Sequence, residues 1–159
     1  MIWQVAVELK EVAALGRAFA WPRPGRCLRC GSLRVWGHGL VGRYFDGFAQ
    51  RLLLRCYRCA GCGCVMTPRP AGYVARVRAR VAWIREELAH RVETGRWRSA
   101  PAARMRHWLG NLRRQALARL GWTPEHALVA AFDRLLAAGV VAVSRAMGSD
   151  NRRGPLPPQ

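Results

Sequence analysis

Acid is what this sequence lacks most. Nine aspartates and glutamates stand against 27 basic residues, giving a net charge of +18, and only Asp46, Asp133 and Asp150 are aspartate. Glu86 and Glu87 are adjacent, and on a helix they would diverge by about 100°, which is too far to share a metal or a proton. No phosphate-cradling glycine loop and no nucleophile elbow occurs. No catalytic residue is therefore expected. Long apolar runs are missing as well. The stretch from Ala127 to Val143 is broken by Asp133 and Arg134, and Met1 to Leu15 carries Glu8, Lys10 and Glu11. Neither a membrane span nor a signal peptide is expected, which points to a cytoplasmic, nucleoid-associated protein with reduced thiols.

Lysine is also nearly absent. Every basic residue except Lys10 is arginine. Arginine forks two hydrogen bonds onto a phosphate or a guanine edge, and a field of this size draws polyanions. Nucleic acid, most of all duplex DNA, is the expected partner. A codon bias toward arginine would explain the scarcity of lysine but not that of acids.

Six cysteines lie between positions 27 and 64, and four of them repeat one pattern. Cys27-Leu28-Arg29-Cys30-Gly31 and Cys59-Ala60-Gly61-Cys62-Gly63 both read Cys-x2-Cys-Gly. One tight turn aims both sulfurs of such a pair at a single point, and the trailing glycine supplies the positive φ that ends it. Two pairs make a tetrahedral zinc site, so Cys27, Cys30, Cys59 and Cys62 are the expected ligands of one structural zinc ion. Cys56 and Cys59 share the spacing but lack the glycine. With Leu52 and Leu54 on the same strand face, Cys56 reads as a small buried hydrophobe. Cys64 is expected to point away from the metal. His38, between two glycines, is the alternative ligand.

Short strands are expected over 33–36, 40–45 and 51–57, with 66–70 stopping the last of them. Before them, 2–7 reads as a strand and 8–15 as a short helix ended by Gly16. Trp36, Tyr44, Phe45 and Phe48 lie among arginines. They are either the core of a small module or platforms for exposed bases. From residue 71 the period changes to that of a helix. Val77, Val81, Ile84, Leu88 and Val92 line one face as far as Thr94-Gly95. A second helix starts with Ser99 as cap and Pro101 in its first turn, and buries Met105, Trp108, Leu109, Leu112, Ala116 and Leu120. A third opens at Thr123-Pro124-Glu125 and runs to about Ala138, after which 140–147 leans to helix.

The second helix carries the DNA-binding expectation. Opposite Met105 stand Ala103, His107, Gly110 and Arg114, flanked by Arg104, Arg106 and Asn111. Small residues among long polar ones suit a helix lying in a major groove. Arg106, His107, Asn111 and Arg114 are expected to face bases, with Arg104 beside them, and Arg113 and Arg119 to grip phosphates. Residues 76–119 hold twelve arginines and three glutamates. A solvated basic face that contacts nothing is the plainer alternative.

The run Tyr57-Arg58-Cys59-Ala60-Gly61-Cys62-Gly63, followed by Met66-Thr67-Pro68-Arg69-Pro70, resembles the zinc ribbon that opens many insertion-sequence transposases. A helix-turn-helix usually follows there, and Arg104-Met105-Arg106-His107-Trp108-Leu109 resembles its recognition helix. The likeness covers roughly residues 27–120, and the acidic catalytic domain of that family has no counterpart here. The resemblance implies a DNA-binding relative that serves transposition or mobile-element regulation without catalysis of its own, with a separate transposase catalytic subunit as a possible partner. An RNA-binding ribbon and a protein-docking adaptor are the alternatives. The expected fold class is α+β: an N-terminal strand and helix with a proline-rich lead-in over 1–26, a small antiparallel zinc ribbon over 27–70, a helix-turn-helix-like helical DNA-binding bundle over 71–147, and a disordered tail over 148–159.

Overall fold

A computed structural model describes residues 1–99 and 101–145. It has mixed α/β content, with a four-stranded sheet and four α-helices. The chain divides into two compact units, Met1–Arg78 and a second that begins at Ala79. The expected tail, 148–159, lies outside the described residues.

The N-terminal unit contains β1 (Ile2–Val5), α1 (Leu9–Leu15), β2 (Val35–Arg43), β3 (Leu52–Cys59) and β4 (Val65–Pro70). The strand order is β1-β4-β3-β2, with β2, β3 and β4 antiparallel and β1 parallel to β4. The strand expected near the start is β1, and it lies at an edge of the sheet. Nor does 66–70 stop the last strand, because it forms β4 itself. Its two prolines are tolerated for a reason of register. Thr67 and Ala71 donate their N–H groups to the carbonyls of Met1 and Val5. Pro68 and Pro70 stand at the alternate positions, which face away from β1, and β3 pairs with β4 only as far as Met66. No ladder hydrogen bond is lost there.

The two strands expected over 33–36 and 40–45 are one strand, β2, interrupted by a bulge at His38 between the Gly37–Tyr57 and Gly39–Cys56 pairs. Strand β3 buries opposite faces along its length. Leu52 and Leu54 join Val5, Leu9, Val12, Trp21, Phe45 and Tyr73 in one cluster. Tyr57 and Cys59 join Cys27, Val35 and Met66 in another. Cys56 does share the parity of Leu54, as its position requires, but the cover on that face has ended. It is half-buried, with its sulfur 3.4 Å from the Thr67 hydroxyl.

Residues 71–80 are not helical, which corrects the placement of Val77 on a helix. Val77 is buried in the N-terminal unit, and its carbonyl, like that of Val74, accepts from the buried Arg69 guanidinium. That guanidinium also lies over the Phe45 ring. The C-terminal unit comprises α2 (Val81–Thr94), α3 (Ala102–Leu120) and α4 (Leu128–Ala137), with α4 packed on both α2 and α3. Met105, Trp108, Leu109, Leu112 and Ala116 are buried, as the helical period predicts. A bidentate pair between Arg85 and Asp133 ties α2 to α4 at 2.9 and 3.0 Å.

The expected caps are not used. The Thr123 hydroxyl donates back to the Gly121 carbonyl, and a 3-10 turn, Glu125–Ala127, precedes α4. Residues 140–145 carry no helix, and 146–147 lie outside the described residues. Ser99 does not cap α3 either. Its hydroxyl donates to Glu87 Oε1 at 2.6 Å and its amide to Glu87 Oε2 at 3.3 Å. Glu87, on α2, is 1% exposed, so the carboxylate acts as a latch on the turn before α3.

Burial alone would raise the Glu87 carboxyl, but the Ser99 hydrogen bonds and the Arg98 guanidinium outweigh it and hold the group below its ordinary value. A carboxylate depressed in the folded state stabilises above the unfolded value. That stabilisation disappears as pH falls through the lowered native value. Glu87→Gln is therefore expected to cost about 1 kcal/mol at neutral pH. The gap from wild type should close in acid below the usual carboxylate range. Hydrogen exchange in α2 and α3 at several pH values measures it, and a pH-independent gap would rule out the latch.

Candidate metal centre and basic helix face

Both knuckles are built alike. In the first, the Gly31 amide donates to the Cys27 carbonyl at 2.9 Å, and the Cys27 amide to the Ser32 carbonyl at 2.8 Å. In the second, Gly63 donates to Cys59 at 3.1 Å, and Cys59 to Cys64 at 3.0 Å. Gly31 and Gly63 have φ of +73° and +69°, the left-handed conformation that a side chain would strain. The Ala60 amide reaches the Arg34 carbonyl at 2.8 Å and fastens one knuckle beside the other. A Cys59–Val35 pairing between β3 and β2 sets them at the same end of the sheet.

The sulfurs of Cys27, Cys30, Cys59 and Cys62 converge to within 4.8 Å of one another. The Cys27–Cys62 and Cys30–Cys59 separations are both 3.6 Å. A tetrahedral ion with metal–sulfur bonds of about 2.3 Å needs sulfurs about 3.8 Å apart. The four cysteines therefore fit a metal ion such as zinc. Cys56, Cys64 and His38 are not part of this group.

The electrostatics agree with that reading. The Cys62 amide hydrogen-bonds the Cys59 sulfur and, against the effect of burial, lowers its pKa to about 6, with Cys30 and Cys27 also donating to it. For Cys62 the Cys64 amide favours the thiolate, yet burial and the three neighbouring sulfurs push the group up to about 12. Four sulfurs this close cannot all carry charge alone; a divalent cation removes that repulsion and displaces the remaining protons.

On α3 the side facing away from the core is the expected one. Ala103, Arg106, His107, Gly110, Arg113 and Arg114 are all exposed, and so is Arg119. A Cβ added at Gly110 would meet nothing within 4 Å. Asn111 is the correction. It is 1% exposed and cannot reach a groove. Its amide nitrogen donates to the Val143 carbonyl at 2.9 Å and lies 3.0 Å from His107 Nε2, while its oxygen accepts from Arg114. Arg104 is half-buried, with its guanidinium over the Trp83 and Trp108 rings. Arg113 pairs with Glu125, and Arg119 donates to Gln115. Of the seven arginine, histidine and asparagine positions expected on DNA, Arg106 is the least committed elsewhere, and His107 is exposed with its Nε2 against Asn111.

The aromatics of the N-terminal unit divide. Phe45 is core, and Phe48 packs against that core. Trp36 and Tyr44 are exposed. The Tyr44 ring lies beneath the guanidiniums of Arg51 and Arg78, at 5.1 and 4.8 Å. Tyr73 packs edge-on against Phe45 in the same core, and its place beyond the cysteines gives no local sign of that.

No family model, characterised protein or solved structure matches the chain. No helix among the described residues is long and apolar enough to cross a membrane.

Proposed function

We propose that this is a zinc-dependent DNA-binding protein without catalysis of its own, acting in transposition or in control of a mobile element. In this reading Cys27, Cys30, Cys59 and Cys62 hold one structural zinc in a ribbon-like unit. Sulfur ligands in a closed tetrahedral set, with no fifth position for water, suit a structural ion. The helices of the C-terminal unit then act as a helix-turn-helix, and α3 lies in the major groove. Any strand transfer would fall to a separate catalytic subunit.

The observation that carries the reading is the outer face of α3. It exposes arginines and histidine around Ala103 and Gly110, with no acid anywhere on the helix. Small residues let the helix backbone approach base edges, and the long ones reach bases and phosphates. Five to eight phosphate contacts, as an order of magnitude, would give a log–log salt slope of about −0.9 for each.

Selection from random duplexes, followed by titration at two salt concentrations, tests this. Arg106→Ala is expected to lose about 1–3 kcal/mol on the selected site and less on random DNA. Arg119→Ala should weaken all sequences alike and flatten the slope by about one contact. Absence of duplex binding at low salt would sink the reading. If no preferred sequence emerges, the major-groove assignment of α3 fails.

A further inference from the structure

We propose that the sheet of the N-terminal unit holds an unpaired base of a single nucleic-acid strand, stacked on Trp36, with Arg58 beside it for the adjoining phosphate. This rests on the nucleic-acid reading above and adds to it a second surface that takes single strands.

The pleat defines the surface. Val35, Tyr57, Cys59 and Met66 point inward around the cysteine cluster. Their neighbours must then point outward. Trp36 on β2 stands opposite Arg58 on β3, and Arg58 stands opposite Val65 on β4. These three form one row across the sheet. Trp36 is 46% exposed and Val65 38%, while Arg58 is exposed between them. The row is thus an indole, a guanidinium and an aliphatic side chain, all open to solvent.

Trp36 is unlike most of the tryptophans. Trp3, Trp21, Trp83 and Trp108 each pack against another ring, and Trp97 lies under a guanidinium. Among the described residues no ring and no guanidinium is stacked on Trp36. Its neighbours along β2 are Val35, which points inward, and Gly37, which has no side chain. The exposed Trp122 shares that freedom, but it lies beside the Gly121 turn in the other unit, with no arginine paired across a sheet from it.

Charge selects the occupant. None of the four strands carries an acidic residue, and residues 1–78 contain thirteen basic residues against three acidic ones. An indole face among guanidiniums recognises a flat ring attached to an anion. A nucleotide is both. Inside a duplex the base faces are covered by one another, so a ring on a flat sheet can stack only on an unpaired base. Stacking of this kind tolerates any base, which separates this surface from the sequence-reading role of α3.

The test uses the full metal-loaded chain, a labelled twelve-nucleotide oligothymidylate, and a duplex of equal length. Trp36→Ala is expected to weaken the single strand about ten-fold and to leave duplex affinity within two-fold. Trp36→Phe, which keeps a ring, should recover most of the loss, and Arg58→Gln should lower the salt slope on the single strand by about 0.7. Metal content and thermal denaturation establish that each variant is folded. If Trp36→Ala destroys the fold, the Phe and Arg58 variants carry the same comparison. Unchanged single-strand affinity in Trp36→Ala overturns the proposal and leaves the ring as a docking residue for a protein. Equal losses on duplex and single strand overturn it too. Wild type that binds duplex but not single strand sinks this surface alone, whereas failure on both removes the DNA reading with it.

Discussion

Cys59→Ser is expected to abolish metal binding and, with it, the folded state around both knuckles. Cys56→Ala, by contrast, should retain one ion per chain. The size of the effect follows from what the ion organises. Cys27, Val35, Tyr57, Cys59 and Met66 form a cluster in which two of the five residues belong to the four cysteines that fit a metal ion. Structural zinc contributes on the order of 10–16 kcal/mol of apparent binding free energy in small domains, against a typical folding stability of about 5–15 kcal/mol. An apolar core this small cannot replace that. Metal content by mass spectrometry and hydrogen exchange across β2 and β3 measure the two losses. Full occupancy in Cys59→Ser would remove Cys59 from the ligand set, and loss in Cys56→Ala would bring Cys56 into it.

Because thiols must give up protons to bind, metal affinity should fall as the solution is acidified. Cys62 is the group pushed up to about 12 in the metal-free cluster. Cys30 is raised as well, by the Cys59 and Cys27 sulfurs and by burial, so the incoming cation must displace protons from both at neutral pH, and metal uptake should release acid into a weakly buffered solution.

The second large effect is expected at Asn111. Asn111→Ala should destabilise the C-terminal unit by about 2–3 kcal/mol, because it removes several hydrogen bonds and leaves the Val143 carbonyl buried without its donor. The same change should leave the intrinsic DNA affinity of the folded protein almost untouched. Chemical denaturation, together with binding measured under conditions where the variant is fully folded, separates the two. A selective loss of affinity for a preferred site without a loss of stability would restore Asn111 to the groove. Gln115, which donates to the Ser144 carbonyl at 3.4 Å, belongs to the same arrangement. Two side-chain amides of α3 satisfy a segment that has no regular structure to satisfy itself.

That pair shows where the sequence stops being informative. A polar residue on a helix between apolar positions reads as solvent-facing or groove-facing unless the partner is known. Here the partners are backbone carbonyls about thirty residues away, in a stretch whose apolar content suggested more helix. The cysteine motif needed no such knowledge. Each knuckle closes its own turn through its own glycine, so each cysteine pair of the candidate site is visible in five consecutive residues. The buried side of α3 was legible for a similar reason, since periodicity is local.

Long-range pairing was not legible. Ile2–Val5 reads as a strand from its residues, but nothing in them announces Thr67–Pro70 as its parallel neighbour. The prolines there argued for a boundary. They mislead because proline excludes a strand only on the side where an N–H is required, and that side depends on register. Cys56 failed in the same manner. Its parity was right, and what changed was which face of β3 was covered.

The parallel pairing of β1 with β4 has a kinetic consequence. β1 precedes its hydrogen-bonding partner by some sixty residues, so during synthesis it must wait for them before that partner exists. Until then its apolar side chains, Trp3 and Val5 among them, have no sheet to cover. Contacts of such sequence separation slow folding, since loop closure must precede any gain from pairing. A metal ion captured by the four cysteines would shorten that search. An ion joining Cys27 and Cys30 to Cys59 and Cys62 would bring β4 close at once, because β4 begins three residues beyond Cys62. The order of events would then be ion first, meander second and β1 last, so a shortage of metal during synthesis would leave β1 uncovered for longest.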